Sequence, residues 1–179
     1  MVKKITGYHG TVKDNSTLIL QNGFKINTYS FLTTARQPIP GDLGAGLYAY
    51  QDDIENARRF AHKFKRDIAI FKLTLEVDEH KYLDMDEKDN AQLILDIYNS
   101  QHFKTLKHRY EQMSTHTSQR QCLDGLILEY IIHKKNLRVD LVKKSTYTRF
   151  EGMPSISHYP NGIELCIKNK AIIKNTETV

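Results

Sequence analysis

The pattern of apolar and polar positions divides this chain into short, distinct segments. Residues 68 to 77, "IAIFKLTLEV", alternate Phe71, Leu73, Leu75 and Val77 with Lys72, Thr74 and Glu76, the period of a half-buried strand. "KITGY", residues 4 to 8, is a second, shorter strand. "STLILQNGF", residues 16 to 24, predicts a short helix capped by Ser16 and ended by Gly23. A longer helix opens at Asp52 or Asp53, with Glu55 in the first turn, where the helix dipole favours it. Ile54, Ala57, Ala61 and Phe64 fall on one face of that helix.

Residues 87 to 112 are helical in pattern, with Ala91, Ile94, Leu95 and Tyr98 on one side and a possible break at Asn99-Ser100. "LDGLILEYII" and "NLRVDLVKK" read as two strands joined through "HKKN", and "IELCIKN" as the last strand. Two proline- and glycine-bearing stretches, 25 to 46 and 151 to 162, are long loops, and "HTSQRQ", residues 116 to 121, is a shorter polar one. Strand, helices, then strands describe an α+β fold with a largely antiparallel sheet. At 179 residues, with no repeat and no composition break, one domain spanning 1–179 is expected.

Composition narrows the setting. Hydrophobic residues are 40% and charged residues 26%, as in a globular chain. No run is long enough to span a bilayer and "MVKKITGYHG" lacks a signal peptide's apolar stretch, so a cytoplasmic location and no membrane partner are expected. Cys122 and Cys166 form no metal or disulfide framework and are expected to be buried thiols. The eight histidines include no HExxH, so no metal is expected, and His62, His102, His108 and His116 are expected at the surface. The net charge of +5 favours a polyanionic partner. Its basic runs, "RR" at 58–59, "HKFKR" at 62–66, "KTLKHR" at 104–109 and "HKK" at 133–135, equally suit solvated helix faces.

Three stretches hold the candidate chemistry: "YHGT" at 8–11, "GAGLYAYQDDIENARRFA" at 44–61 and "NGIEL" at 161–165. Together, and in this order, they resemble the ADP-ribosyltransferase superfamily, in its His-Tyr-Glu class of poly-ADP-ribose polymerases, diphtheria-toxin-like enzymes and small bacterial toxins. The helical stretch at about 87–120 has no counterpart in the resemblance and is expected to be an insert. The resemblance implies a split, mostly antiparallel sheet with flanking helices. It also implies a reaction in which NAD, as co-substrate, gives its ADP-ribose to an acceptor and releases nicotinamide.

Residue by residue, the resemblance implies that His9 holds a ribose hydroxyl and the Gly10 backbone pairs with the carboxamide, Thr11 following in the same motif. Tyr48 would stack on the nicotinamide, Phe60 would either complete the sandwich or serve as core, and Glu164 would stabilise the developing charge. His9, Tyr48 and Glu164 are the catalytic candidates; His9, Gly10, Thr11, Tyr48 and Phe60 are the NAD-binding ones. "KKSTYTRF" at 143–150 echoes the Ser-Thr-Ser run of the superfamily's other class, but the first strand supplies His9 where that class has Arg. Gly162, two residues before Glu164, disfavours an arginine acceptor.

In a domain this small, single-unit transfer is expected rather than poly-ADP-ribose chain extension, with NAD hydrolysis open. The acceptor is RNA, DNA or protein. By analogy with the family, the chain is similar to a bacterial toxin of a toxin–antitoxin or phage-defence system, which implies an antitoxin partner. Two other readings stay open: a metal-independent ribonuclease using His9 or His158 as base, and a non-catalytic module binding NAD or nucleic acid.

Overall fold

A computed structural model describes residues 1–33, 37, 40–114, 123–150 and 159–179. Seven strands form one sheet: β1 (Val2–Val12), β2 (Leu47–Gln51), β3 (Ile68–Asp78), β4 (Tyr82–Asp84), β5 (Leu141–Thr146), β6 (Gly162–Ile167) and β7 (Ile173–Thr178). Their spatial order is β4-β5-β6-β2-β1-β3-β7, and every neighbouring pair is antiparallel except β4 with β5. Five helices accompany it: α1 (Ser16–Asn22), α2 (Ile54–His62), α3 (Lys88–Tyr98), α4 (His102–Ser114) and α5 (Leu123–Lys134). The fold is thus α+β with an antiparallel-dominant sheet and flanking helices.

The alternating run around 68–77 is the backbone of the core. β3 pairs with β1 along its whole length, and Phe71, Leu73, Leu75 and Val77 are fully buried. They pack with Ala49, Leu165 and Ile167 on one face, which Phe24 and Ile19 cover. On the opposite face α2 packs Ala57 and Ala61 against Tyr50 and Ile70, while Leu128 of α5 packs against Val142 and Cys166. α3 and α4 lie against α5.

Helix α2 forms as its sequence predicts. Asp53 caps it by accepting from the Asn56 N–H at 2.8 Å, with Glu55 in the first turn. Phe64 lies beyond the helix end and is 48% exposed, so the predicted apolar face ends at Ala61. At α1 the cap differs from expectation. Asn15 precedes the helix, and Ser16 inside it donates its hydroxyl to the Lys13 carbonyl; Gly23 ends the helix at φ 73°, as expected.

The clearest correction concerns residues 123–132, predicted as a strand and found in α5. Leu126, Ile127 and Ile131 pack toward α4 while Leu128 packs toward the sheet. A helix buried on two sides shows no amphipathic stripe, so its apolar run imitates a central strand. The strand predicted over 136–144 begins only at Leu141. β2, β4 and β7 were not predicted, and β7 rather than 163–169 is the last strand. The break at Asn99-Ser100 does separate α3 from α4. Ala91, Ile94, Leu95 and Tyr98, placed on one side of α3 by the sequence, line a groove of about 700 Å³, and Leu95 is 51% exposed.

Cys166 is buried as expected, and burial pushes its thiol up to about 12. His62 and His108 are exposed, whereas His102 is half-buried against Tyr130. Cys122, His116, His158 and much of the two predicted loops at 116–121 and 151–162 lie outside the described residues. No helix among the described residues is long and apolar enough to cross a membrane.

Candidate active site

The candidate site is built where the β1–β2 ladder stops. Asp52 N–H donates to the Thr6 carbonyl at 3.1 Å, and Tyr8 faces Tyr50 across the ladder. Hydrogen-bonded pairs in an antiparallel ladder recur every two residues, so the next would join Gly10 to Tyr48. That pair is missing from the register. In its place the Tyr48 carbonyl accepts from the His9 ring, Nδ1 to O at 2.7 Å. By strand alternation, Gly10 turns its N–H and C=O toward this same opened edge.

A carbonyl can only accept, so the proton of His9 sits on Nδ1 and leaves Nε2 as an acceptor in the neutral ring. Burial lowers the His9 pKa from its ordinary value, and the bond to Tyr48 only partly opposes that. Phe24 meets the imidazole edge-on at 5.3 Å and holds its orientation.

A cleft of about 180 Å³ opens at this split. His9, Gly10, Tyr48, Phe60 and Glu164 all line it, with Tyr8, Gly41, Ala49 and Tyr50. Five of the six sequence candidates therefore meet in one place. Thr11 does not line the cleft; it is buried, and its hydroxyl accepts from Asn15 Nδ2 at 3.0 Å.

Glu164 sits on β6 and is 3% exposed, not solvent-facing as an ordinary strand-start glutamate is. Tyr50 stands directly across from it on β2, and Cys166 across from Tyr48, so strand alternation sets Tyr48, Tyr50 and Glu164 on one face. Glu164 Oε1 accepts from the Thr148 hydroxyl at 2.6 Å, and the single proton of the Tyr50 hydroxyl is shared between Thr148 Oγ1 at 3.0 Å and Glu164 Oε1 at 3.3 Å. Thr148 is fixed in turn by Asn161, whose side chain accepts from its N–H at 2.9 Å and donates to its carbonyl at 2.8 Å. Asn56 of α2 donates to the Asn161 carbonyl at 2.8 Å, tying helix, loop and strand together.

Tyr48 is held as firmly. Its hydroxyl donates to the Gly44 carbonyl and accepts from the Leu43 N–H, each at 2.8 Å, and burial pushes its pKa far up. A side chain on Gly41 would collide with the Tyr48 hydroxyl, its Cβ lying 2.4 Å away. The 41–46 loop that makes this wall is clamped from behind. Glu129 of α5 accepts from the Ala45 N–H at 2.7 Å, and Lys168, ion-paired with Glu129, donates to the Ala45 carbonyl at 2.9 Å. Gly44 needs φ 90°, a conformation that favours glycine, to pass this buried pair.

Gly10 has a reason of its own. A Cβ there would lie 2.1 Å from the Ala57 carbonyl of α2. The glycine lets the helix pack down on β1, and so brings Phe60 to the rim of the cleft. Sequence reasoning missed Tyr50, Thr148, Asn161 and the Glu129–Lys168 clamp. Tyr50 shares a face with Tyr48 two residues away, a signal visible only once 47–51 is read as a strand. Thr148 lies inside "KKSTYTRF", a stretch weighed only for its echo of a Ser-Thr-Ser run.

Among the described residues no cluster of three metal-binding side chains occurs. No protein-family model matches the chain, and no curated protein is detectably similar to it in sequence.

Proposed function

We propose that this chain is an NAD-dependent mono-ADP-ribosyltransferase with an ADP-ribosyltransferase-like split sheet. The carrying observation is the broken ladder. It opens the Gly10 amide and carbonyl, a neutral His9 acceptor and the Glu164 carboxylate onto one aromatic-walled cleft.

Each group has a matching task. The Gly10 C=O and N–H complement the donor and acceptor of the nicotinamide carboxamide. His9 Nε2 accepts from a ribose hydroxyl. Tyr48, with Phe60 at the rim, gives flat surfaces for a flat cationic ring, worth about 1–2 kcal/mol in stacking and cation–π attraction. The bond from the anomeric carbon to the pyridinium nitrogen breaks, its electron pair neutralising the departing ring. Glu164 bonds the neighbouring ribose hydroxyl and stabilises the positive charge left on the sugar, an interaction strongest in the transition state. A lone pair of the acceptor then forms the new bond to that carbon, and the acceptor's proton passes to solvent.

A ribonuclease using His9 fits less well. Its phosphate would need a cation in the cleft, yet none of the described lining residues is Lys or Arg, and Glu164 would repel it. A cytoplasmic toxin restrained by an antitoxin remains part of the proposal by family analogy alone.

The test is transfer itself. NAD labelled in its adenylate half is incubated with wild type and Glu164→Ala, and RNA, DNA and protein are offered separately. Label entering one pool with wild type alone supports the transferase. No labelled pool together with no nicotinamide release overturns it.

A further inference from the structure

None of the described residues that line the cleft is Lys or Arg, but cations stand at its rim. Residues 58 to 66, "RRFAHKFKR", hold five Lys and Arg and no acid; Arg58 pairs with Glu55, while Arg59 and Lys63 reach the rings beside the cleft. Arg59 lies 5.8 Å over the Phe150 ring; Lys63 lies 5.2 Å over Phe150 and 5.0 Å over Phe60. Both rings touch Tyr50, at 6.5 Å and 6.4 Å, and Tyr50 holds Glu164. The cations therefore stand two aromatic rings, a phenylalanine and Tyr50, from the carboxylate. Phe64, edge-on to Phe60 at 6.1 Å, exposes nearly half its surface among them.

We propose that this rim binds the phosphates of a single-stranded nucleic acid and delivers one of its nucleotides to the cleft, so that nucleic acid is the acceptor. The proposal rests on the transferase reading above. Cations interleaved with an exposed ring suit a backbone of repeated phosphates with bases to stack, more than the one diphosphate of NAD. Single strands are favoured over duplex because Glu164, which lines the cleft, is 3% exposed. A paired base would first have to be flipped out, at a cost of a few kcal/mol.

The experiment reads binding without NAD, by fluorescence anisotropy of labelled oligonucleotides: single-stranded RNA, single-stranded DNA and duplex DNA. Wild type is expected to prefer a single strand, and the two single-strand arms decide between RNA and DNA. Arg59→Gln with Lys63→Gln is expected to weaken binding about tenfold or more, and to flatten the salt dependence by about 0.7 per cation removed. Arg59→Lys with Lys63→Arg should restore both. Lys134→Gln with Lys135→Gln, at the end of α5, should leave binding unchanged, and thermal melts check that every variant is folded.

Equal weakening by the two Gln pairs would overturn the proposal, since it would mean a general field of the protein. So would a rise in KM for NAD with unchanged strand binding, which would assign the rim to the diphosphate of NAD. Nicotinamide release is measured in parallel. Release without strand binding would overturn this proposal alone. Strand binding without release would sink the transferase reading and the acceptor role with it.

Discussion

The hydroxyl of Thr148 donates to Glu164 Oε1 at 2.6 Å across a buried contact between the segment after β5 and β6. A carboxylate that must meet a transient positive charge gains from being aimed beforehand. Thr148→Val keeps the shape and removes the donor. We expect kcat to fall about tenfold, the scale of one hydrogen bond to a charged group, with KM for NAD unchanged. Thr148→Ser should recover most of the rate. A matched rise in KM, or no rescue by Ser, would contradict a positioning role.

The buried pair of Glu129 and Lys168 acts at longer range, through the backbone of Ala45. Lys168→Met leaves Glu129 buried without its cation, and should cost about 3–5 kcal/mol of stability. Replacing both, Glu129→Gln with Lys168→Met, should cost less than the single change. Denaturant unfolding of the four proteins in the cycle measures this, and strictly additive costs would count against the clamp.

Gly10→Ala tests how closely α2 must approach β1. The added methyl meets backbone, the Ala57 carbonyl, which cannot swing away as a side chain can. We expect a loss of about 1–3 kcal/mol, as for overpacking, with weaker NAD binding as Phe60 shifts. Wild-type stability in this variant would show that α2 is not held by that contact.

His9 gives a pH dependence of definite sign. Burial lowers its pKa in the folded chain, so between that value and about 6.5 the unfolded chain binds more protons. Its contribution to stability is whole above the unfolded value and is lost as pH falls toward the folded one. Thermal melts from neutral to mildly acidic pH should therefore show a smaller decline in His9→Gln than in wild type. Parallel curves would mean that His9 titrates alike in both states.

Much of the site was legible in the sequence, and for a physical reason. His9, Gly10, Tyr48 and Glu164 stood out by motifs with glycines beside them, where the chain packs closely, and Phe60 sits on a helix announced by its cap and apolar spacing. The strand register then sets Tyr48 and Glu164 on one face and His9 on the other, beside Phe24. The partners of Glu164 were hidden because Tyr50 and Thr148 meet it only through pairing between strands distant in sequence. α5 was misread because burial on two sides erased its periodicity. Glu129 was lost with it, since a glutamate in an apparent central strand gives no hint of a lysine just beyond β6, 39 residues away.

The central claim is that Glu164 stabilises charge on the ribose of NAD, and the rate of nicotinamide release by wild type and Glu164→Gln tests it most directly. Glutamine keeps the size of the side chain and an acceptor for Thr148, but it removes the charge. The account predicts release by wild type, a fall of about 10²–10³ in the variant, and an unchanged melting profile. Equal release by both proteins, or none from wild type, would contradict it.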